Sequence, residues 1–247
     1  MGSWKNLICI VFFASLWPVI AIADTTCQLP AYAATYDVNA YGLNVGTTLQ
    51  KLMISPDQTY KIILDSQSTI ALYQDHILQM STGEIINSQL VPRLFDSHQD
   101  HKNKNERIDF DWKNHVAHSD KSDQDKEESK DLVLHPGTGD LLSTQILLRQ
   151  LLIKNPDQKK LSYELIKSNK FQTYQFTVVG TELTVLKTVL GDIKTIQLER
   201  TEGPRVDDYW LAPNYGYLLV KSTQTKNGAL QVTLVLKTYQ AEKICLE

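Results

Sequence analysis

The chain has 247 residues, a formal net charge of −3, and 25 Lys and Arg against 28 Asp and Glu. That mild acidity argues against a nucleic-acid or polyphosphate partner, which calls for a basic face. A chain of this size buries roughly 70% of its unfolded surface, so it can build a core without staples.

The first element in chain order is a targeting segment. Lys5 supplies a positive n-region, and Leu7 to Ile22 is apolar apart from Ser15 and Pro18. Ala21-Ile22-Ala23 fits the small-x-small cleavage rule, so residues 1–23 read as a signal peptide cleaved near Ala23, with a mature chain starting at Asp24. The alternative, an uncleaved anchor, is disfavoured because the run is shorter than the ~20 residues of a span and Pro18 interrupts it. No later stretch is long and apolar enough to cross a bilayer, so the expectation is no membrane span after cleavage and a periplasmic location. With Lys5 gone, 24 basic residues face 28 acidic ones, a net charge near −4. Cleavage also removes Cys9 and leaves Cys27 and Cys245 at opposite ends of the mature chain. In an oxidising compartment an isolated pair of this kind is most simply a disulfide, worth ~5 kcal/mol in the chain-entropy view.

Most of the remaining chain reads as strands. Tyr36, Val38 and Ala40 alternate with Asp37 and Asn39, Tyr41-Gly42 turns the chain, and Leu43 to Ile54 alternates again. Ser55-Pro56-Asp57 is a turn, followed by extended runs at Thr59 to Leu64, Thr69 to Tyr73 and Ile85 to Phe95, where Pro92 marks an edge or a bulge. Arg107 to Trp112 and His115 to Ser119 form a hairpin across Lys113-Asn114. Ser119 to Asp131 (SDKSDQDKEESKD) holds no aliphatic or aromatic residue, which predicts a disordered acidic surface loop at 119–131. Leu141, Leu142, Ile146, Leu148, Leu151 and Leu152 then recur at helical spacing within 140–155. Asp140 is the helix cap, and Asn155-Pro156 ends the run. Strands resume at Leu161 to Ile166, Gln172 to Val179, Leu183 to Leu190, Ile193 to Arg200, Tyr209 to Leu211, Gly216 to Gln224 and Leu230 to Tyr239. The last two flank Asn227-Gly228, the strongest hairpin signal in the chain. Short turns between successive runs imply an antiparallel meander within a single β-rich domain over 24–247.

Chemistry is harder to find. His98 and His101, near Asp96 and Asp100, have donors a metal could use, but polar loops usually carry such residues as solvated groups, so no metal site is assigned. Asp207 and Asp208 point to opposite faces of a strand and make a poor carboxylate pair. No Gly-x-Ser-x-Gly elbow, His-Glu-x-x-His helix or Ser-x-x-Lys nucleophile is present, so no catalytic residue and no cofactor is assigned. The aromatic residues, among them Tyr32, Tyr36, Trp112, Tyr174, Phe176, Tyr209 and Trp210, read as sheet packing or as the lining of an apolar pocket.

Four stretches in order carry a resemblance: RIDFDW at Arg107 to Trp112, GTGDLLSTQILLR at Gly137 to Arg149, GDIKTIQLER at Gly191 to Arg200, and DYWLAPNYGYLLVK at Asp208 to Lys221. Together they resemble the bacterial domain-of-unknown-function 3108 family of exported envelope proteins. Two features depart from its pattern: the acidic 119–131 segment, and Leu218-Leu219 where a proline is common. The resemblance implies a mostly β fold, an antiparallel meander curved into a half-open barrel with one amphipathic helix (140–155) packed against it, similar to periplasmic lipoprotein carriers. Asp140, Ser143 and Arg149 match the family's helix motif, the first two as caps and Arg149 as a partner for a sheet carboxylate or a ligand headgroup. The implied role is that of a non-enzymatic binding protein for a lipid, acyl chain or extended peptide. Its groove would be lined by Leu148, Leu152, Trp112, Tyr174 and Trp210. The alternative is a structural protein of the envelope that binds another protein through a strand edge or the acidic loop.

Overall fold

The computed structural model describes residues 30–242, apart from 71, 72, 88 and 125. The expected signal peptide, Cys27 and Cys245 lie outside the described residues. The described residues build one antiparallel sheet of fourteen strands and one α-helix. The first wing is a meander of β1 (Ala31–Ala40), β2 (Leu43–Ile54), β3 (Thr59–Ile70), β4 (Tyr73–Ile86), β5 (Gln89–Gln99), β6 (Lys104–Asp111), β7 (Val116–Asp123) and β8 (Lys126–Val133). Helix α1 (Ser143–Lys154) follows. The second wing comprises β9 (Lys160–Lys167), β10 (Lys170–Thr188), β11 (Gly191–Glu202), β12 (Arg205–Ala212), β13 (Leu218–Lys226) and β14 (Ala229–Glu242). A 3-10 turn, Pro213–Tyr215, separates β12 from β13.

The sheet order runs from β8 down to β1, then β14 down to β9. The first and last strands therefore meet in the middle of the sheet, with Ala31 opposite Glu242, and the helix connection joins its two outer edges. Two-residue turns set much of this register. Asn227 and Gly228 both adopt positive φ, 51° and 77°, the backbone of a turn whose twist matches the strands it joins, and Lys226 pairs with Ala229 across it. Pro92 sits in an interior strand at a bulge: the β4–β5 register shifts at Thr82/Gly83. A Cβ on Gly83 would fall 2.3 Å from the Val91 carbonyl oxygen, so only glycine lets the two backbones come this close.

The sheet curls until its ends touch without closing the strand ladder. Ser119 Oγ on β7 donates to Asn169 Oδ1 in the β9–β10 turn, and Asn169 Nδ2 donates to the Glu128 carbonyl on β8. Ser168 N–H donates to the Glu106 carboxylate on β6. Between β8 and α1 the chain crosses to the second wing through a single parallel bridge, Gly139 to Leu165.

This architecture corrects the expectation of a disordered loop at 119–131. The segment forms most of the β7–β8 hairpin, with Val116 to Asp123 paired against Val133 to Lys126. Apolar content was the wrong criterion there. The hairpin lies at the margin of the sheet, where β8 is exposed at nearly every position, so it needs backbone pairing and cross-strand charge pairs instead. Lys121 meets Glu128 at 3.0 Å and Lys104 meets Asp123 at 2.7 Å. Within 119–131 the one buried side chain among the described residues, Ser119, is hydrogen-bonded.

Helix α1 lies against the concave face. Its Leu142 and Ile146 side join a large core with Tyr36, Leu52, Ile62, Phe95 and Ile108. Leu148 and Leu152 join a second cluster with Leu161, Tyr163, Phe176, Leu198 and Leu211. The helix starts at Ser143, three residues later than the periodicity suggests. The preceding turn is held by Asp140, whose Oδ1 accepts the N–H groups of Leu142 and Ser143, each at 2.8 Å. Asp140 is fully buried, and Ser81 donates to its other oxygen at 2.7 Å, so the cap also pins α1 to β4.

Candidate functional site: a cavity between the helix and the curled sheet

A cavity of about 310 Å³ separates α1 from part of the concave face. Its size lies at the lower end of the range of small-molecule sites. The apolar wall is made by Leu148 on the helix, Tyr163 and Phe176 on β9 and β10, Tyr209 and Leu211 on β12, and Leu219 on β13. Tyr163 and Phe176 pack in a tilted arrangement at 5.6 Å between centroids, and Phe176 meets Tyr209 edge-on at the same distance. Burial pushes the hydroxyls of Tyr32, Tyr36, Tyr163 and Tyr209 upward in pKa, so all four remain protonated and neutral through the physiological range.

Two polar regions border this wall. In the first, Tyr32 on β1 donates to Gln50 on β2 at 3.0 Å, and Gln50 donates to Gln145 on α1 at 2.5 Å. Arg149, one turn further along the helix, is 5% exposed. Its Nε donates to the Gly216 carbonyl at 2.7 Å and its Nη2 reaches the Tyr215 carbonyl at 3.5 Å. The guanidinium carbon stands 4.7 Å from the centre of the Tyr32 ring. Nη1 is buried and has no hydrogen-bond partner among the described residues. In the second region, Asp207 on β12 accepts from Arg200 at 2.9 Å and from Arg205 at 2.7 Å, while Arg200 lies 3.8 Å over the Tyr174 ring. Arg205 and Asp207 line the cavity, and Arg205 is exposed, so this end faces solvent.

Of the five groove residues expected from sequence, Leu148 and Tyr174 line the cavity. The other three are corrected. Leu152 lies one turn beyond Leu148 and is packed shut in the second cluster. Trp112 sits past the end of β6, stacked on Phe110, with its indole N–H donating to the Pro92 carbonyl at 2.6 Å. Trp210 falls between Tyr209 and Leu211, so strand alternation turns it to the opposite face, beneath the Lys221 ammonium. The same alternation was a usable signal for a residue sequence reasoning dismissed. Asp207 shares the face of Tyr209 and Leu211 and belongs to the cavity wall.

His98 and His101 are at the far end of the β5–β6 hairpin. His98 is held by Asn105 and, at 2.8 Å, by Asp100. Among the described residues no group of three or more His, Cys, Asp or Glu has the geometry to hold a metal ion. No helix among them is long and apolar enough to cross a membrane.

The helix motif, its cap and the final hairpins are now all in place, and the sequence profile of the family described as "Protein of unknown function (DUF3108)" matches residues 32–235. The chain belongs to the DUF3108 family. That match runs from Tyr32 in the cavity wall to Val235 on β14, so the cavity lies within the family's own domain. No curated protein matches the sequence. Among solved structures, the DUF3108 chain is similar to the crystal structure of a β-barrel-like protein of the domain of unknown function DUF1849 from Brucella abortus. The TM-score is 0.60 at 13% identity, over 87% of this chain and 99% of that one. At that identity the likeness concerns the fold alone.

Proposed function

We propose that this protein is a non-enzymatic binding protein of the cell envelope whose cavity takes a lipid, an acyl chain or a comparable extended apolar ligand. The observation that carries this reading is the roughly 310 Å³ space walled by Leu148, Tyr163, Phe176, Tyr209 and Leu211. A hydrophobic core normally packs to near-crystalline density, so a void of this size between a helix and a sheet is space kept for something. The Ala21-Ile22-Ala23 site and the apolar run before it support an exported, periplasmic chain. The protein-interaction alternative is weaker at the β8 edge of the sheet, where Lys126, Glu127, Glu128, Lys130 and Asp131 form a charge pattern that discourages strand addition.

Native mass spectrometry of protein purified gently from a periplasm, followed by organic extraction, tests the reading. It predicts a stoichiometric small molecule that survives transfer and is recovered in the organic phase. A bare protein mass, together with no uptake of added single-chain lipids, contradicts it.

A further inference from the structure

Among the described residues, Arg149 is a buried cation without a counter-charge. No carboxylate lies within ion-pair distance of it among the described residues, and its guanidinium donates to the backbone carbonyls of Tyr215 and Gly216 and lies over the neutral ring of Tyr32. Arg200 and Arg205 provide the internal contrast, since Arg200 pairs with Asp207 and Glu202 and Arg205 pairs with Asp207. The phenols of Tyr32, Tyr36 and Tyr239 feel the Arg149 charge and burial keeps them protonated, so none of these three balances it. Taking a guanidinium out of water in this way is strongly unfavourable unless an anion completes the site. Arg149 forms part of the cavity wall, its Nη1 lacks a partner, and the Tyr32–Gln50–Gln145 relay adds polar groups on the same side. Beyond this polar patch the wall is apolar along Leu148, Phe176 and Leu211.

We propose that the cavity selects a single-chain amphiphile with an anionic head group, a carboxylate or a phosphate monoester, seated on Arg149 with its hydrocarbon chain along Leu148, Phe176 and Leu211. This rests on the binding reading above and narrows it to one class of ligand. The head group supplies the missing charge and accepts from Nη1. The Tyr32 ring, under the guanidinium carbon, holds the cation in place by a cation–π contact.

Four probes of equal chain length separate the possibilities in a calorimetric or displacement titration of the delipidated protein: dodecanoate, dodecyl phosphate, dodecanol and dodecyltrimethylammonium. One or both anions are expected to bind the unmodified protein at least about tenfold more tightly than dodecanol, the effect of one charge-assisted hydrogen bond. The better of the two anions separates a fatty-acid from a phosphate source. Arg149→Met should reduce that ratio to near one while leaving dodecanol affinity in place. Arg149→Lys, which keeps the charge but not the fork, should retain part of the preference and stands in should the Met variant not fold. Dodecanol binding as tightly as both anions, or a ratio unchanged in Arg149→Met, overturns the assignment while leaving a chain-binding cavity standing. Failure of all four probes to bind overturns the binding reading itself.

Discussion

The guanidinium of Arg149 lies over the ring of Tyr32, 4.7 Å from its centre, and joins helix α1 to the first strand of the sheet with no carboxylate among the described residues in ion-pair distance. A buried charge of that kind is a poor way to stabilise a fold, since an apolar side chain of similar size commonly does as well or better. Arg149→Met is therefore expected to leave the stability of the ligand-free protein within about 1 kcal/mol of the parent, or to raise it. Urea unfolding of the delipidated protein measures this. A loss of more than about 2 kcal/mol would make Arg149 a structural strut for the Tyr215–Gly216 turn instead.

Filling the cavity should uncouple binding from folding. Leu148 projects from the helix into the space, and Leu148→Trp places an indole where a hydrocarbon chain would lie. Overpacking a filled core costs about 1–3 kcal/mol, but here the added volume meets open space, so the expected change in stability is under about 1 kcal/mol. Binding of dodecanoate should fall by more than about tenfold. Severe destabilisation with unaltered binding would show that ligands sit elsewhere.

The contact between the two ends of the sheet makes a third prediction. Asn169 holds Ser119 on β7 and the Glu128 carbonyl on β8, at a backbone φ of 59° that glycine also adopts. Asn169→Gly removes both hydrogen bonds without backbone strain and should cost about 2 kcal/mol. It should also speed amide exchange in β7, whose amides are expected to exchange slowly in the parent because the strand is paired on both sides. Fast exchange throughout Ser119 to Asp123 in the parent would restore the flexible loop.

The same junction should be sensitive to pH. Burial is the chief reason the Glu106 carboxyl titrates above its ordinary value of 4.5, outweighing the Ser168 N–H that favours its charged form. With the folded value raised, the protonated carboxyl contributes stability that is complete below the unfolded value and lost as pH rises through the folded one. Glu106→Gln keeps an acceptor for Ser168 and should flatten that part of the stability–pH curve, measured by thermal unfolding. An identical curve for parent and variant would remove Glu106 from the account.

The termini carry a fifth. Ala31 and Glu242 face each other across the β1–β14 ladder, four residues after Cys27 and three before Cys245. Adjacent strands are about 4.8 Å apart and each residue extends the reach by over about 3 Å, so a Cys27–Cys245 disulfide needs only these short tethers. Peptide mapping without reductant, on protein produced in a periplasm, should recover the linked pair. Two alkylatable thiols would contradict it.

Much of this fold is legible in the residues because its signals are local. Asn227-Gly228 specifies its turn by positive φ, the leucine spacing marks the helix, and Asp140 announces the cap that Leu142 and Ser143 use. The β7–β8 hairpin was hidden because its few buried positions, Ala117, Ser119 and Leu132, are mostly small or polar and leave almost no hydrophobic alternation where pairing is real. The cavity was only half legible. Leu148 and Tyr174 are there, but Trp112 and Trp210 are not, and strand parity, which puts Trp210 on the face opposite Tyr209, is the signal that separates them. The importance of Arg149 depends on what fails to surround it, and only the assembled fold displays that.

The most direct test of the central claim is a methyl-detected NMR titration of the delipidated protein with dodecanoate. Resonances of Leu148, Leu211 and Leu219 in the cavity wall should shift in a saturable manner, while those of Ile62, Ile108 and Leu142 in the main core stay in place. Shifts confined to surface methyl groups, or none at saturating probe, would contradict a ligand-binding cavity between the helix and the curled sheet.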